Sequence, residues 1–127
     1  MAERVILVVE DNENNRYLTT FLLERAGHKV VHACSGAEAL GVALRERPHL
    51  ILMDIQLPEM NGYQVTAQLQ AHPELAAIPI VGVSSYATAS DRARAFASGL
   101  VGYIEKPIEP ETFVRQIETY LPGAGPA

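Results

Sequence analysis

Four apolar residues, Leu50-Ile51-Leu52-Met53, run directly into a carboxylate, Asp54, with Pro48 on one side and Pro58 on the other. A short apolar run punctuated at both ends by proline reads as a buried strand. A strand covered on both faces belongs in a parallel sheet with helices on each side. Asp54 then stands where the strand leaves the core, at the carboxyl edge where open α/β sheets bind ligands. Asp is also a favoured turn residue. The strand alone therefore leaves Asp54 with two readings, a turn former or a site residue.

The flanking chain repeats the pattern. Val5 to Val9 predicts strand one, ending in Glu10-Asp11. Asn12 caps a helix with Leu18, Phe21 and Leu22 inward, and Gly27 closes it. Lys29 to Ala33 predicts strand two. Ser35-Gly36-Ala37-Glu38 has capping-box spacing and opens helix two, with Leu40, Ala43 and Leu44 as its apolar stripe and Pro48 as its stop. Strand three is His49 to Asp54. Asn61-Gly62 starts helix three, with Val65 and Leu69 inward, ending near His72-Pro73. Ile78 to Ser84 predicts strand four. Ser90-Asp91 begins helix four, with Ala93, Phe96 and Ala97 inward and Gly99 at its end. Val101 to Ile104 predicts strand five. Pro110, at a first helical position, opens helix five, lined by Phe113, Ile117 and Tyr120. Five strands alternating with five helices predict an α/β fold: a doubly wound five-stranded parallel sheet, order 2-1-3-4-5, with helices on both faces. Residues 1–121 form one domain, and the aperiodic tail 122–127 is expected to be loose.

With 127 residues and 48% hydrophobic residues, the chain suits a single globular core. No apolar stretch approaches the ~20 residues of a membrane span, and Met1-Ala2-Glu3-Arg4 does not open a signal peptide. The one cysteine, Cys34, excludes an intrachain disulfide. It is expected to be a small core residue in a reducing, cytoplasmic compartment. A net charge of −5 with scattered Lys and Arg argues against a nucleic-acid surface. His28, His32, His49 and His72 fall away from the carboxyl edge and are expected to be surface or half-buried. Tyr17 and Tyr63 are expected to pack, and Gly82 to admit a close neighbour.

The carboxyl edge collects Glu10 and Asp11 from strand one, Asp54 from strand three, Ser84 and Ser85 from strand four, and Lys106 just past strand five. In the 2-1-3-4-5 order strands one and three are neighbours, roughly 4.8 Å apart. Three clustered carboxylates repel and need a cation. Oxygen ligands without His or Cys suit Mg²⁺. A divalent ion, a carboxylate nucleophile, a lysine and a hydroxyl are the parts for phosphoryl transfer to Asp54. Alternating side chains allow only one of Ser84 and Ser85 to face the site easily.

On Glu10-Asp11, Asp54 with Pro58 and Gly62, Ser84, and Tyr103-Ile104-Glu105-Lys106-Pro107, the chain resembles a response-regulator receiver domain of two-component signalling from Val5 to Leu121. The segment Ile51 to Glu59 resembles both stand-alone, DivK-like cell-cycle regulators and receivers attached to hybrid histidine kinases. The resemblance implies the flavodoxin-like receiver fold and an Asp54 phosphorylated by a histidine kinase or histidine phosphotransfer protein. It implies Mg²⁺ on Asp11, Asp54 and the Gln56 main-chain carbonyl, with Glu10 acting through water. It also implies a switch pair, Ser84 and Tyr103, with Lys106 in the family's lysine place before a cis Pro107. Tyr103 is expected to lie outward at rest and inward once switched. A downstream protein partner is expected at the face of helix four, strand five and helix five. Such a domain is not an enzyme, although it assists its own phosphorylation and dephosphorylation. The chain departs from the family in its Glu-Asp pair, commonly Asp-Asp, in Ser rather than Thr at the switch, and in Ser85 where Ala is frequent.

Three other classes compete. An aspartate-nucleophile hydrolase wants a carboxylate two residues after its nucleophile, and that position is Gln56. A flavin or dinucleotide site wants a glycine- or hydroxyl-rich first loop, whereas Glu10 to Asn15 has no glycine. A phosphorylation-independent interaction domain would not need so complete a site. Gln56 and Tyr86, two residues beyond Asp54 and Ser84, are expected to overhang the site mouth and slow hydrolysis of the phosphoryl group.

Overall fold

The computed structural model describes residues 4–57, 61–85 and 88–121. Its parallel sheet has the expected order β2-β1-β3-β4-β5. The strands are β1 (Val5–Val9), β2 (Lys29–Ala33), β3 (Leu50–Asp54), β4 (Ile80–Ser84) and β5 (Gly102–Glu105). The helices are α1 (Glu13–Arg25), α2 (Gly36–Glu46), α3 (Gly62–Ala71), α4 (Ala89–Ala97) and α5 (Pro110–Glu118). Strands alternate side chains between two cores. Ile6, Val8, Leu50, Leu52, Val81, Val83 and Ile104 pack with Leu23 of α1 and with Phe113 and Ile117 of α5. Leu7, Val9, Ile51, Met53 and Tyr103 pack on the other face with Ala39, Val42, Val65, Leu69 and Ala95 of α2, α3 and α4.

Register sets the functional edge. Val9 lies opposite Met53, so Glu10 and Asp54 follow at the same level. Asp54 lies opposite Val83, and Ser84 opposite Glu105. Side-chain parity then divides the edge. Glu10, Asp54 and Lys106 continue the alternation that faces α1 and α5, whereas Ser84 and Tyr103 follow the alternation facing α3 and α4.

Caps place the helices. Asn12 and Asn61 accept the backbone N–H groups of Asn15 and Gln64, and Asn61 completes a capping box with Gln64. Ser35 accepts from the Glu38 N–H, but the Glu38 carboxylate reaches past it to the Cys34 N–H, so the expected reciprocal box does not form. Helix α4 starts at Ala89 rather than Ser90-Asp91, because Thr88 and Asp91 form its capping box.

The inward faces of α1 and α4 differ from expectation. On α1 the buried residues are Thr19 and Leu23, and Phe21 lies outward. A threonine on the inner face hid this phase from a search for large apolar residues. On α4 only Ala95 is buried, and Phe96 is 52% exposed. With Ala95 on the inner face, its neighbour Phe96 is carried about 100° round the helix, toward solvent. Leu40 and Leu44 are half-buried at the rim of a stripe centred on Ala39, Val42 and Ala43. Ile78 and Val101 precede their strands instead of starting them. Tyr17 is 72% exposed and stacks along its own helix, on Phe21. Cys34 is exposed, one residue beyond β2, so the strand's burial does not extend to it. Gly82 behaves as expected, since a Cβ there would meet Leu100 at 2.7 Å. The tail 122–127, Pro58 and Tyr86 lie outside the described residues.

Candidate functional site

β1 and β3 bring three carboxylates together. One oxygen from each of Glu10, Asp11 and Asp54 lies within 4.8 Å of the others. Glu10 and Asp54 are buried, and Asp11 is exposed. The turn after β1 is held by its own atoms: the Glu10 N–H donates to the Ala33 carbonyl at 3.0 Å, and the Asn12 N–H donates to Glu10 Oε2 at 3.2 Å. Arg16 reaches back from the first turns of α1 to the Glu10 carbonyl at 3.0 Å. Nothing in the sequence marked Arg16, because its contact is with a main-chain atom.

Lys106 enters from the end of β5. Its main-chain N–H donates to the Ser84 carbonyl at 2.8 Å. Its Nζ lies 3.2 Å from Asp54 Oδ1 and 3.6 Å from Glu10 Oε1. The Lys106-Pro107 peptide bond is cis, as expected. One ammonium leaves the three-carboxylate cluster short of positive charge. Burial, followed by a hydrogen bond and charge repulsion from Asp54, pushes the Glu10 carboxyl up to about 7, against the opposing pull of Lys106 and the Asn12 N–H. The donors are all oxygen, and the cluster holds no His or Cys among the described residues. That donor set fits a hard divalent ion.

Asp54 is fixed from behind. The Ile55 N–H donates to the Val83 carbonyl at 3.0 Å, and the Gly62 N–H donates to the Ile55 carbonyl at 2.9 Å. The Gln56 N–H donates to Asp54 Oδ1 at 2.9 Å. The Gln56 side chain crosses to the other parity set, where its Nε2 donates to Ser84 Oγ at 2.6 Å. The Ser85 N–H donates to Gln56 Oε1 at 3.3 Å. The sequence pointed to the Gln56 main-chain carbonyl and to its place at the site mouth, but a glutamine's side-chain partners cannot be read from spacing.

Ser84 is fully buried, and Ser85 is exposed. Tyr103 is 9% exposed, with the Arg92 guanidinium 5.4 Å from its ring centroid. The ring is buried rather than solvent-exposed, and it lines both the cleft beside Ser84 and the groove beside Glu105. Ser84, Tyr103 and Gln56 line a cleft of ≈340 Å³ with Ile55, Tyr63 and Arg94. Of the four histidines, His28 pairs with Glu118, His32 with Thr20, and His49 accepts the Val5 N–H. None joins the carboxylate cluster.

The model of the response regulator receiver domain matches residues 6–118. The polar-differentiation response regulators DivK of Brucella anthropi and Brucella ovis are each 42% identical over 116 residues, covering 91% of this chain and 94% of theirs. Among solved structures, chemotaxis protein CheY4 of Vibrio cholerae superposes with a TM-score of 0.90 at 27% identity, covering 94% of this chain and 100% of that one. The receiver domain of sensor histidine kinase PA1611 from Pseudomonas aeruginosa, which carries a magnesium ion in its active-site cleft, gives 0.85 at 30% identity, covering 94% and 98%. The chain belongs to the response regulator receiver domain family and has that family's phosphoacceptor role in two-component signalling.

Proposed function

We propose that Asp54 is the phosphoacceptor and that it takes a phosphoryl group from a phosphohistidine of a kinase or phosphotransfer protein. The observation that carries this is the single ammonium, Lys106, set against Asp54 and Glu10 beside a third carboxylate. An Asp54 carboxylate oxygen attacks phosphorus. The new O–P bond forms as the P–N bond breaks, and the imidazole leaves. The Gln56 N–H and Lys106 Nζ hold Oδ1 while the carboxylate is aimed. Asp11, Asp54 and the Gln56 main-chain carbonyl would hold Mg²⁺, with Glu10 acting through water; bound there, the ion neutralises charge on the transferring group. Lys106 balances the remaining charge, and Ser84 donates to a phosphoryl oxygen.

The output face is α4, β5 and α5. Tyr103 lines both the Ser84 cleft and a groove of ≈470 Å³ shared with Arg92, Glu105, Lys106, Glu109 and Gln116. A displacement of Ser84 is therefore felt where a downstream protein would dock. The setting is cytoplasmic, without direct nucleic-acid or membrane contact. No helix among the described residues is long and apolar enough to cross a membrane.

Labelling with acetyl phosphate and Mg²⁺ tests the chemistry. The parent should gain a base-labile phosphate that Asp54→Asn and Asp11→Asn both lack. A labelled Asp54→Asn protein would show that another group accepts phosphate.

A further inference from the structure

Gln56 joins the two parity sets of the functional edge. Its main-chain N–H holds the Asp54 carboxylate, and its carboxamide holds two consecutive residues at the end of β4. The orientation of that carboxamide is determined chemically. A backbone N–H can only donate, so the group facing the Ser85 N–H is Oε1, and Nε2 faces Ser84 Oγ. Together with Lys106, which contacts the Ser84 carbonyl through its N–H and Asp54 through Nζ, the four residues close a ring: Asp54, Gln56, Ser84, Lys106.

From this ring we infer that the Gln56 carboxamide is a latch that positions Ser84 and Ser85 in the phosphate-free state, and that its two hydrogen bonds are given up when Ser84 moves to a phosphoryl oxygen. The inference rests on the phosphoacceptor reading of Asp54. Gln56 is a positioning residue here, because it acts through Ser84. The latch bonds are neutral and lie at a half-buried cleft mouth, so each has a modest net value in water. Their effect is on the balance between two placements of the end of β4, since a bond present in only one state biases against the other. Gln56 therefore lowers the apparent affinity for a phosphoryl group.

Beryllofluoride with Mg²⁺, titrated by NMR, provides the test. The parent should bind it. No Mg²⁺-dependent binding by the parent would defeat the phosphoacceptor reading itself, separately from the latch. Gln56→Ala and Gln56→Met should both bind roughly five- to tenfold more tightly than the parent, the loss of one or two neutral hydrogen bonds. Met keeps the length of the side chain, so a gain in Gln56→Ala alone would mean relief of bulk and would overturn the latch. The same substitutions in a Ser84→Ala background should gain less than in the parent, because only the Ser85 N–H bond is left for Gln56 to release. An equal gain in both backgrounds, no gain, or weaker binding would each overturn it; weaker binding would mean that Gln56 contacts the phosphoryl group directly. In phosphate-free Gln56→Met, the Ser85 amide resonance should move toward its beryllofluoride-bound position. A resonance that stays in place would also count against the latch.

Discussion

Gly62 stands so close behind Asp54 that a Cβ on it would lie 2.7 Å from the Asp54 carbonyl oxygen and 2.8 Å from Ile55 Cα. Both obstacles are backbone. In an ordinary helix Gly→Ala stabilises by about 1 kcal/mol. Here the start of α3 would have to back away from the end of β3, and overpacking of this kind costs roughly 1–3 kcal/mol. Gly62→Ala should therefore be destabilised in urea unfolding and should also bind Mg²⁺ more weakly, because the strand end that carries Asp54 moves. Unchanged stability would show that the helix start yields freely.

Metal-free protein should lose stability as pH rises from about 4.5 to about 7. The Glu10 carboxyl titrates near 4.5 when unshifted and near 7 in the fold. Between those values the folded chain holds a proton that the unfolded chain has released, so stability falls with rising pH across that window. The loss is of order 3 kcal/mol, about 2.5 pH units at 1.36 kcal/mol per unit. Urea midpoints in chelator at pH 5 and pH 7.5 should differ less for Glu10→Gln than for the parent, and Mg²⁺ should raise the parent's midpoint at the higher pH. Equal pH slopes in parent and variant would remove Glu10 as the source.

Lys106→Met should separate two roles of one ammonium. Nζ sits among the carboxylates, so its removal takes away a competing cation, and Mg²⁺ affinity should rise several-fold. Labelling by acetyl phosphate should fall roughly 10²-fold or more, the usual cost of one preorganised charge partner. A metal titration and a labelling time course on the same sample check both directions.

Helix α4 should be the most readily opened of the five. Only Ala95 is buried on it, and its further ties are polar: Arg94 lies 4.4 Å from the Tyr63 ring centroid, Gln70 Nε2 donates to the Gly99 carbonyl at 3.0 Å, and Arg92 stands 4.0 Å from Glu105. Few buried contacts mean low local opening energies. Arg94→Ala and Gln70→Ala should each speed amide exchange in α4 about five- to tenfold while changing global stability by less than about 1 kcal/mol. Exchange in α4 as slow as in α5, with its buried Phe113 and Ile117, would contradict this.

The sheet order and the residues at its carboxyl edge were legible because both depend on main-chain pattern. Apolar runs ending in Asp54, Ser84 and Glu10 put those groups at one level whatever the details of packing. The helix faces were less legible. Thr19 and Ala95 face the core while Phe21 and Phe96 do not, since the space available against the sheet, rather than size or polarity, decides which side turns in. Long polar side chains were least legible. Gln56 and Arg16 find partners across three-dimensional gaps that no spacing encodes, one on Ser84 and one on the Glu10 carbonyl.

The sheet is open at β2 and β5, and both borders are poor templates for a further strand. β2 presents Lys29 and His32 to solvent, and β5 has four residues ending in the exposed Glu105. A lysine on one border and a short, acid-terminated strand on the other discourage edge-to-edge growth. The backbone groups left unpaired on the two border strands are thus guarded by charge and by brevity against pairing with a neighbouring chain.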